Sequence, residues 1–210
     1  MPFPPAPWTL RGFALQTAQL VSCDRLQAFL PPTLEPIEVL PGYTVGGIYL
    51  SSYGTGSALE YNELIVVGGL VRRDTVWGGW ITHIYVDNLD SVVGGQEIWG
   101  LPKQMAEFDW KGDREAGSVS VRQGDRLLCS LDYRWCVPFW RQSAALPCLS
   151  LQEHQFLQFE GRFTARFALR GAQLTVPPES PFASLEINQP LLVFSAEDLE
   201  LVAGTPKMMD

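Results

Sequence analysis

Apart from arginine, basic side chains are nearly missing from this sequence: three lysines (Lys103, Lys111, Lys207) and two histidines (His83, His154) stand against twelve arginines. So few histidines argue against a histidine-rich metal site and a histidine-based hydrolase, and each reads as a structural residue. Positive charge is short overall. The net charge is −8 and no dense Lys/Arg cluster offsets it, which argues against a nucleic-acid partner. The four cysteines, Cys23, Cys129, Cys136 and Cys148, lack the paired short spacing of zinc sites, and a chain of 210 residues does not need disulfide support. Buried free thiols are expected. A long apolar run is absent as well: the longest uncharged stretch, Val39 to Leu59, holds Pro41 and five glycines and makes a poor membrane span. Met1-Pro-Phe-Pro-Pro-Ala-Pro-Trp8 has neither the cationic start nor the unbroken apolar segment of a secretion signal. The expectation is a soluble, cytoplasmic protein.

What is present is enough hydrophobic residue, 46%, to fill the core of one domain over positions 1–210. Pro2 to Trp8 reads as an extended arm and Phe13 to Val21 as a strand. A short helix follows, capped by Ser22 and stopped by Pro31-Pro32. Tyr43 to Tyr53, Tyr61 to Val71 and Trp77 to Val86 are rich in Val, Ile, Tyr and Trp and predict three strands. Glycine pairs within them suit bends and close approach in a strongly curved sheet. Ser118 to Arg122 and Arg126 to Trp135 flank Gln123-Gly124-Asp125 as a hairpin. Phe163, Ala165, Phe167 and Leu169 alternate with Thr164, Arg166, Ala168 and Arg170 as a strand with one buried face, and Leu191 to Phe194 supplies another. Pro138 to Pro147 and Pro177 to Pro181 read as loops. The fold class is therefore mostly β (α+β): a closed or strongly curved antiparallel β-barrel or cone with two short helices, a body that can enclose a pocket.

The most informative stretch is Val92-Val-Gly-Gly-Gln-Glu-Ile-Trp-Gly-Leu-Pro-Lys103. Asp90 or Ser91 can cap a helix running to Trp99, Gly100 suits the left-handed terminating position, and Pro102 forbids continuation. Lys111 and Lys207 have polar, solvent-compatible neighbours, whereas Lys103 follows Ile98-Trp99-Gly100-Leu101-Pro102 and precedes Met105 and Ala106. In apolar company an ammonium is disfavoured, and a desolvated lysine is a potential nucleophile. The plainer alternative is a cation placed favourably near a helix C-terminus.

Tyr85-Val-Asp-Asn88, Gly95-Gln-Glu-Ile98 and Pro102-Lys103, in that order and with those gaps, resemble the acetoacetate decarboxylase family over roughly residues 10 to 135. The resemblance implies a cone-like antiparallel barrel in which Lys103 forms a Schiff base with a β-keto acid. It also implies that Glu63, in Tyr61-Asn62-Glu63, is the active-site glutamate, and that Arg11 borders the pocket and holds a substrate carboxylate. Three features depart from the pattern: Gln104 stands where the decarboxylases carry a second lysine, Gln96 replaces an arginine, and Gly46-Gly47-Ile48-Tyr49 offers no second acid. Gln104 and Arg11 are the expected substrate-binding positions.

A free lysine with a pKa near 10.4 is neutral only about once in 2500 at pH 7, so a lysine nucleophile needs activation. A cation about 4 Å away supplies about 3 pKa units at an effective dielectric near 20, and burial alone about 3 to 5, so Gln104 removes one contribution and leaves the other. The implied partner is a small keto acid or other carbonyl compound, with no metal or organic cofactor, no nucleic acid and no membrane; a homo-oligomer stays open. The rivals are a relative doing aldolase or dehydratase chemistry, and a non-catalytic barrel binding an apolar or keto-acid ligand. For the second of these, Trp77, Trp80, Trp99 and Trp110 would line a pocket as readily as fill a core.

Overall fold

A computed structural model describes residues 3–209. In chain order the elements are β1 (Trp8–Ser22), α1 (Cys23–Gln27), β2 (Glu35–Pro36), β3 (Tyr43–Tyr53), β4 (Tyr61–Arg73), β5 (Val76–Val86) and α2 (Leu89–Trp99). There follow β6 (Lys103–Met105), β7 (Glu107–Gly112), β8 (Gly117–Gln123), β9 (Arg126–Gln152), β10 (Gln155–Thr175), a 3-10 turn at Ala183–Leu185, β11 (Leu192–Ala203) and β12 (Lys207–Met208). Seven strands close a ring in the order β10, β11, β1, β3, β4, β5, β9 and back to β10. Its neighbours pair antiparallel except at one seam, where β5 meets β9 in parallel over Gly79–Cys148 and Trp80–Leu149 alone. The expected closed, mostly antiparallel barrel with two short helices is the observed architecture. Among the described residues no helix is long and apolar enough to cross a membrane.

The ring strands bury both faces. Trp8, Leu10 and Ala14 of β1 join Tyr49, Tyr61, Ile84, Cys148, Phe159 and Leu201 in a cluster that draws on all seven ring strands and so fills the lumen. The alternate residues Phe13, Leu15 and Val21 join Ile48, Leu64 and Val66 in a second cluster outside the ring, covered by Val119 and Val121 of β8 and by Phe182, Leu185 and Ile187. At Gly47 a side chain would collide with the Thr17 carbonyl, so the close approach of β1 and β3 depends on that glycine.

Several expectations need correction. The Pro138–Pro147 segment is strand, part of β9, paired with β10 from Pro138–Ala168 to Pro147–Glu160. Among the described residues no strand occupies its other edge, where a proline's missing N–H breaks no ladder. The alternation through Phe163 to Arg170 places Phe163, Ala165 and Phe167 on the lumen face, but the other face is not solvent throughout, since Ala168 and Arg170 are buried as well. Arg170 lies on the outer face, covered by Tyr133 at 6.0 Å from the ring centre, and donates to Ser195 Oγ (2.9 Å), the Glu115 carbonyl (3.1 Å) and Glu197 Oε1 (3.2 Å). Helix α1 stops at Gln27, short of the proline pair, and Ser22 makes no side-chain cap bond. All four cysteines are free, and Cys136 is exposed. Of the expected N-terminal arm, Met1 and Pro2 lie outside the described residues.

Candidate active site

The local fold that delivers Lys103 is set at both ends of α2. Asn88, rather than Asp90 or Ser91, is the N-cap: its side-chain carbonyl accepts the Asp90 and Ser91 N–H groups at 2.9 and 3.2 Å. That start leaves Ser91 fully buried on the inner side of the first turn. At the other end Gly100 takes φ 61°, and the chain reverses with Gly100 N–H on the Gln96 carbonyl and Leu101 N–H on the Gly95 carbonyl, both 3.1 Å. Pro102 follows, and Lys103 then pairs beside Ile84 in a short parallel strand, its carbonyl accepting Gln96 Nε2 at 2.8 Å. The lysine stem runs along Gly95, where a Cβ would lie 2.7 Å from Lys103 Cε. A side chain at position 95 would therefore displace the lysine stem.

The amine ends in the lumen. Lys103 is 4% exposed and Glu63 3%. Lys103 Nζ donates to Glu63 Oε1 at 2.8 Å and to Ser91 Oγ at 3.0 Å, and lies 5.0 Å from the centre of the Tyr61 ring and 5.8 Å from that of Trp8. The Tyr53 hydroxyl donates to Glu63 Oε2 at 3.1 Å, and the Tyr49 hydroxyl stands 3.1 Å from that of Tyr53. Burial, reinforced by the Glu63 charge, holds the Tyr61 and Tyr53 phenols well above their usual range, and burial does the same for Tyr49. All three stay protonated at neutral pH. The amine faces a cavity of about 90 Å³ walled by Trp8, Leu10, Ile81, Trp99, Phe159 and Phe163. Among the described residues no group of three or more His, Cys, Asp or Glu is placed to hold a metal.

The structure thus brings Lys103 and Glu63 together and leaves the other two expected residues elsewhere. Arg11 pairs with Glu200 at 2.8 Å, its side chain 56% exposed, in an open cleft of about 710 Å³ that does not include Lys103. Gln104 follows Lys103 in a strand and so faces the opposite way; it is exposed and accepts Gln123 Nε2 at 3.1 Å. Of the four tryptophans noted above, Trp99 walls the cavity, whereas Trp77 is 47% exposed. Sequence reasoning passed over Trp8, Ser91, Tyr49 and Tyr53. Tyr61 had a readable signal, because a residue two before Glu63 on a strand shares its face; Ser91 had none.

A closed β-ring with a lysine and a glutamate paired in an apolar lumen defines the class of this protein: a barrel that carries a buried ion pair on an internal cavity. The chain belongs to the acetoacetate decarboxylase family, whose sequence model, described as "Acetoacetate decarboxylase (ADC)", matches residues 1–160. It is 34% identical over 105 residues to Protein NEOXANTHIN-DEFICIENT 1 of Solanum lycopersicum, covering 50% of this chain and 35% of that protein. It is 31% identical over 110 residues to the acetoacetate decarboxylase of Paraburkholderia phytofirmans, covering 52% of this chain and 38% of that one. Each match takes in little more than a third of the relative's length. The fold is shared with the crystal structure of acetoacetate decarboxylase from Legionella pneumophila, at a TM-score of 0.79 and 18% identity over 100% of this chain and 90% of that chain.

Proposed function

We propose that the protein is a Schiff-base-forming lyase in which Lys103 condenses with a carbonyl substrate and Glu63 carries the protons. The observation that carries this reading is the 2.8 Å contact between Lys103 Nζ and Glu63 Oε1 at a cavity with apolar walls. Glu63 takes one ammonium proton, the freed Nζ adds to the carbonyl carbon, and a second N–H proton moves to the oxygen. Glu63 then returns its proton to the resulting hydroxyl, which leaves as water while Nζ and carbon form a protonated imine. Charge is conserved throughout: an ammonium and a carboxylate become an iminium and a carboxylate. The iminium draws in electrons from the bond one carbon away. A β-keto acid then loses carbon dioxide, as the family's description implies, and other carbonyl compounds undergo aldol or dehydration chemistry. Ser91 fixes the direction of the amine, and the Tyr53 hydroxyl donates a hydrogen bond to Glu63 Oε2 that steadies the carboxylate when it is charged.

Borohydride reduction in the presence of a carbonyl panel tests this, because it fixes an imine that water would hydrolyse. The expected result is a mass increase on the peptide carrying Lys103, lost in Lys103→Met. A second reading, a non-catalytic ligand-binding barrel, has one observation in its favour: Glu63, Ser91 and the Tyr61 face already engage the amine. A folded protein that gains no mass, or gains it only at Lys111 or Lys207, establishes that second reading.

A further inference from the structure

A second space adjoins the lysine cavity. It measures about 140 Å³ and is walled by Tyr49, Ala144, Phe167, Phe194 and Ala196, with Phe163 forming a wall of both. The Phe163 ring stands edge-on to Tyr49 with centroids 6.2 Å apart and is the side chain that separates the two spaces. Among the described residues lining them, Lys103 is the one cation and Glu63 the one anion. Arg170 reaches the second space only by way of Ser195 Oγ, with its other donors engaged by the Glu115 carbonyl and Glu197. Arg11, the expected carboxylate holder, is tied to Glu200 in the open cleft.

Resting on the Schiff-base reading above, we infer that the carbonyl compound Lys103 takes is neutral and apolar, a ketone or aldehyde whose hydrocarbon tail passes Phe163 into the second space. The charge count decides this. Once the imine forms, iminium and Glu63 balance each other. A keto acid adds a second carboxylate to the same apolar lumen with no cation left to meet it, and an unpaired buried charge is among the costliest groups a protein can hold. A neutral ketone adds none, and its tail covers aromatic and aliphatic walls. With no carboxylate to lose, the iminium instead gives up an α-proton to Glu63, leaving an enamine whose carbon attacks a second carbonyl, the new alkoxide taking the proton back from Glu63, or, in a β-hydroxy ketone, expels the hydroxyl as water with that same proton.

Heptan-2-one and 6-oxoheptanoate form a matched pair, identical except that a carboxylate replaces the terminal methyl. With the full chain and borohydride, heptan-2-one is expected to label Lys103 at least about tenfold more than 6-oxoheptanoate or acetoacetate, since tenfold is about 1.4 kcal/mol and burying an unpaired ion costs more. Phe163→Ala should extend labelling to longer methyl ketones such as undecan-2-one. Equal or better labelling by either keto acid overturns the inference and leaves the Schiff base standing. If nothing labels, the Schiff-base reading fails, and quenching of Trp8 and Trp99 fluorescence in the wild type and in Lys103→Met decides the ligand class. Binding of heptan-2-one without 6-oxoheptanoate then upholds a neutral apolar ligand; binding of both, or of neither, overturns it.

Discussion

Two ion pairs in this protein have the same length and opposite meanings. Lys103–Glu63 and Arg11–Glu200 both close to 2.8 Å, but the first pair's side chains are each 4% exposed and the second pair's 56% and 40%. Water screens the outer pair, so its attraction is small and its partners are separately content. The inner pair has only each other, Ser91, two phenols and ring faces, and removing one member strands the other. Distance alone does not rank them; the surroundings do. The inner pair's charges are correspondingly little screened, and each depends on the other.

The largest test of this contrast is to break the inner pair. Glu63→Gln or Lys103→Met should each cost about 3–5 kcal/mol of unfolding free energy in urea titrations, and the double variant should recover much of that loss, because it leaves no unmatched charge. Next is Gly95→Ala. Alanine is worth about 1 kcal/mol more than glycine in a helix, which offsets the local crowding, so stability should change little. The displaced lysine stem should instead lower borohydride-trapped adduct about tenfold or more, with Gly94→Ala unsuitable as a control because its methyl meets Trp8 at 2.7 Å.

A third test sets a buried titrating ring against the solvent-facing charges. His83 packs against Phe29 and Phe182, each at 5.5 Å between ring centres, and burial pushes its imidazole down to about 4. Between the unfolded value near 6.5 and that of the folded ring, the unfolded chain binds a proton that the native ring refuses, so stability falls as pH falls through this window. The loss should be about 1–2 kcal/mol after allowance for solvent screening, and His83→Gln should flatten that part of the stability-against-pH curve. The smallest effect closes the comparison: Arg11→Ala and Glu200→Gln should couple by less than about 1 kcal/mol in a double-mutant cycle, vanishing in high salt.

The extents of three ring strands were legible from sequence. Tyr43–Tyr53 matches its expected span, and Tyr61 and Val86 mark boundaries as expected. So was the turn that presents Lys103, because Gly100 and Pro102 punctuate the backbone locally. Illegible was whatever depends on the ring. Both faces of β1, β3, β4 and β5 are covered, so alternation does not tell lumen from outer core, and neither Trp8 nor Tyr53 could be assigned a side. The burial of Arg170 has no local signature, since Tyr133 and Glu115 of other elements cover it, and Pro138 looked like a loop because single-sided pairing is invisible in one strand. Arg11 was expected at the pocket from a resemblance of order, but its position in β1 puts it opposite the inward-facing Trp8 and Leu10.

The seam between β5 and β9 has a kinetic consequence. Two residue pairs close the ring there, beside strands joined over many more, so backbone amides at Gly79 and Trp80 should exchange with deuterium sooner than those of β3 or β4. Cys148 sits on this seam and lines the lysine cavity, its thiol pushed up to about 12 by burial and therefore inert while the ring is shut. Its alkylation rate is then a clock for how often the barrel unlatches, and an apolar molecule waiting outside would enter on the same beat.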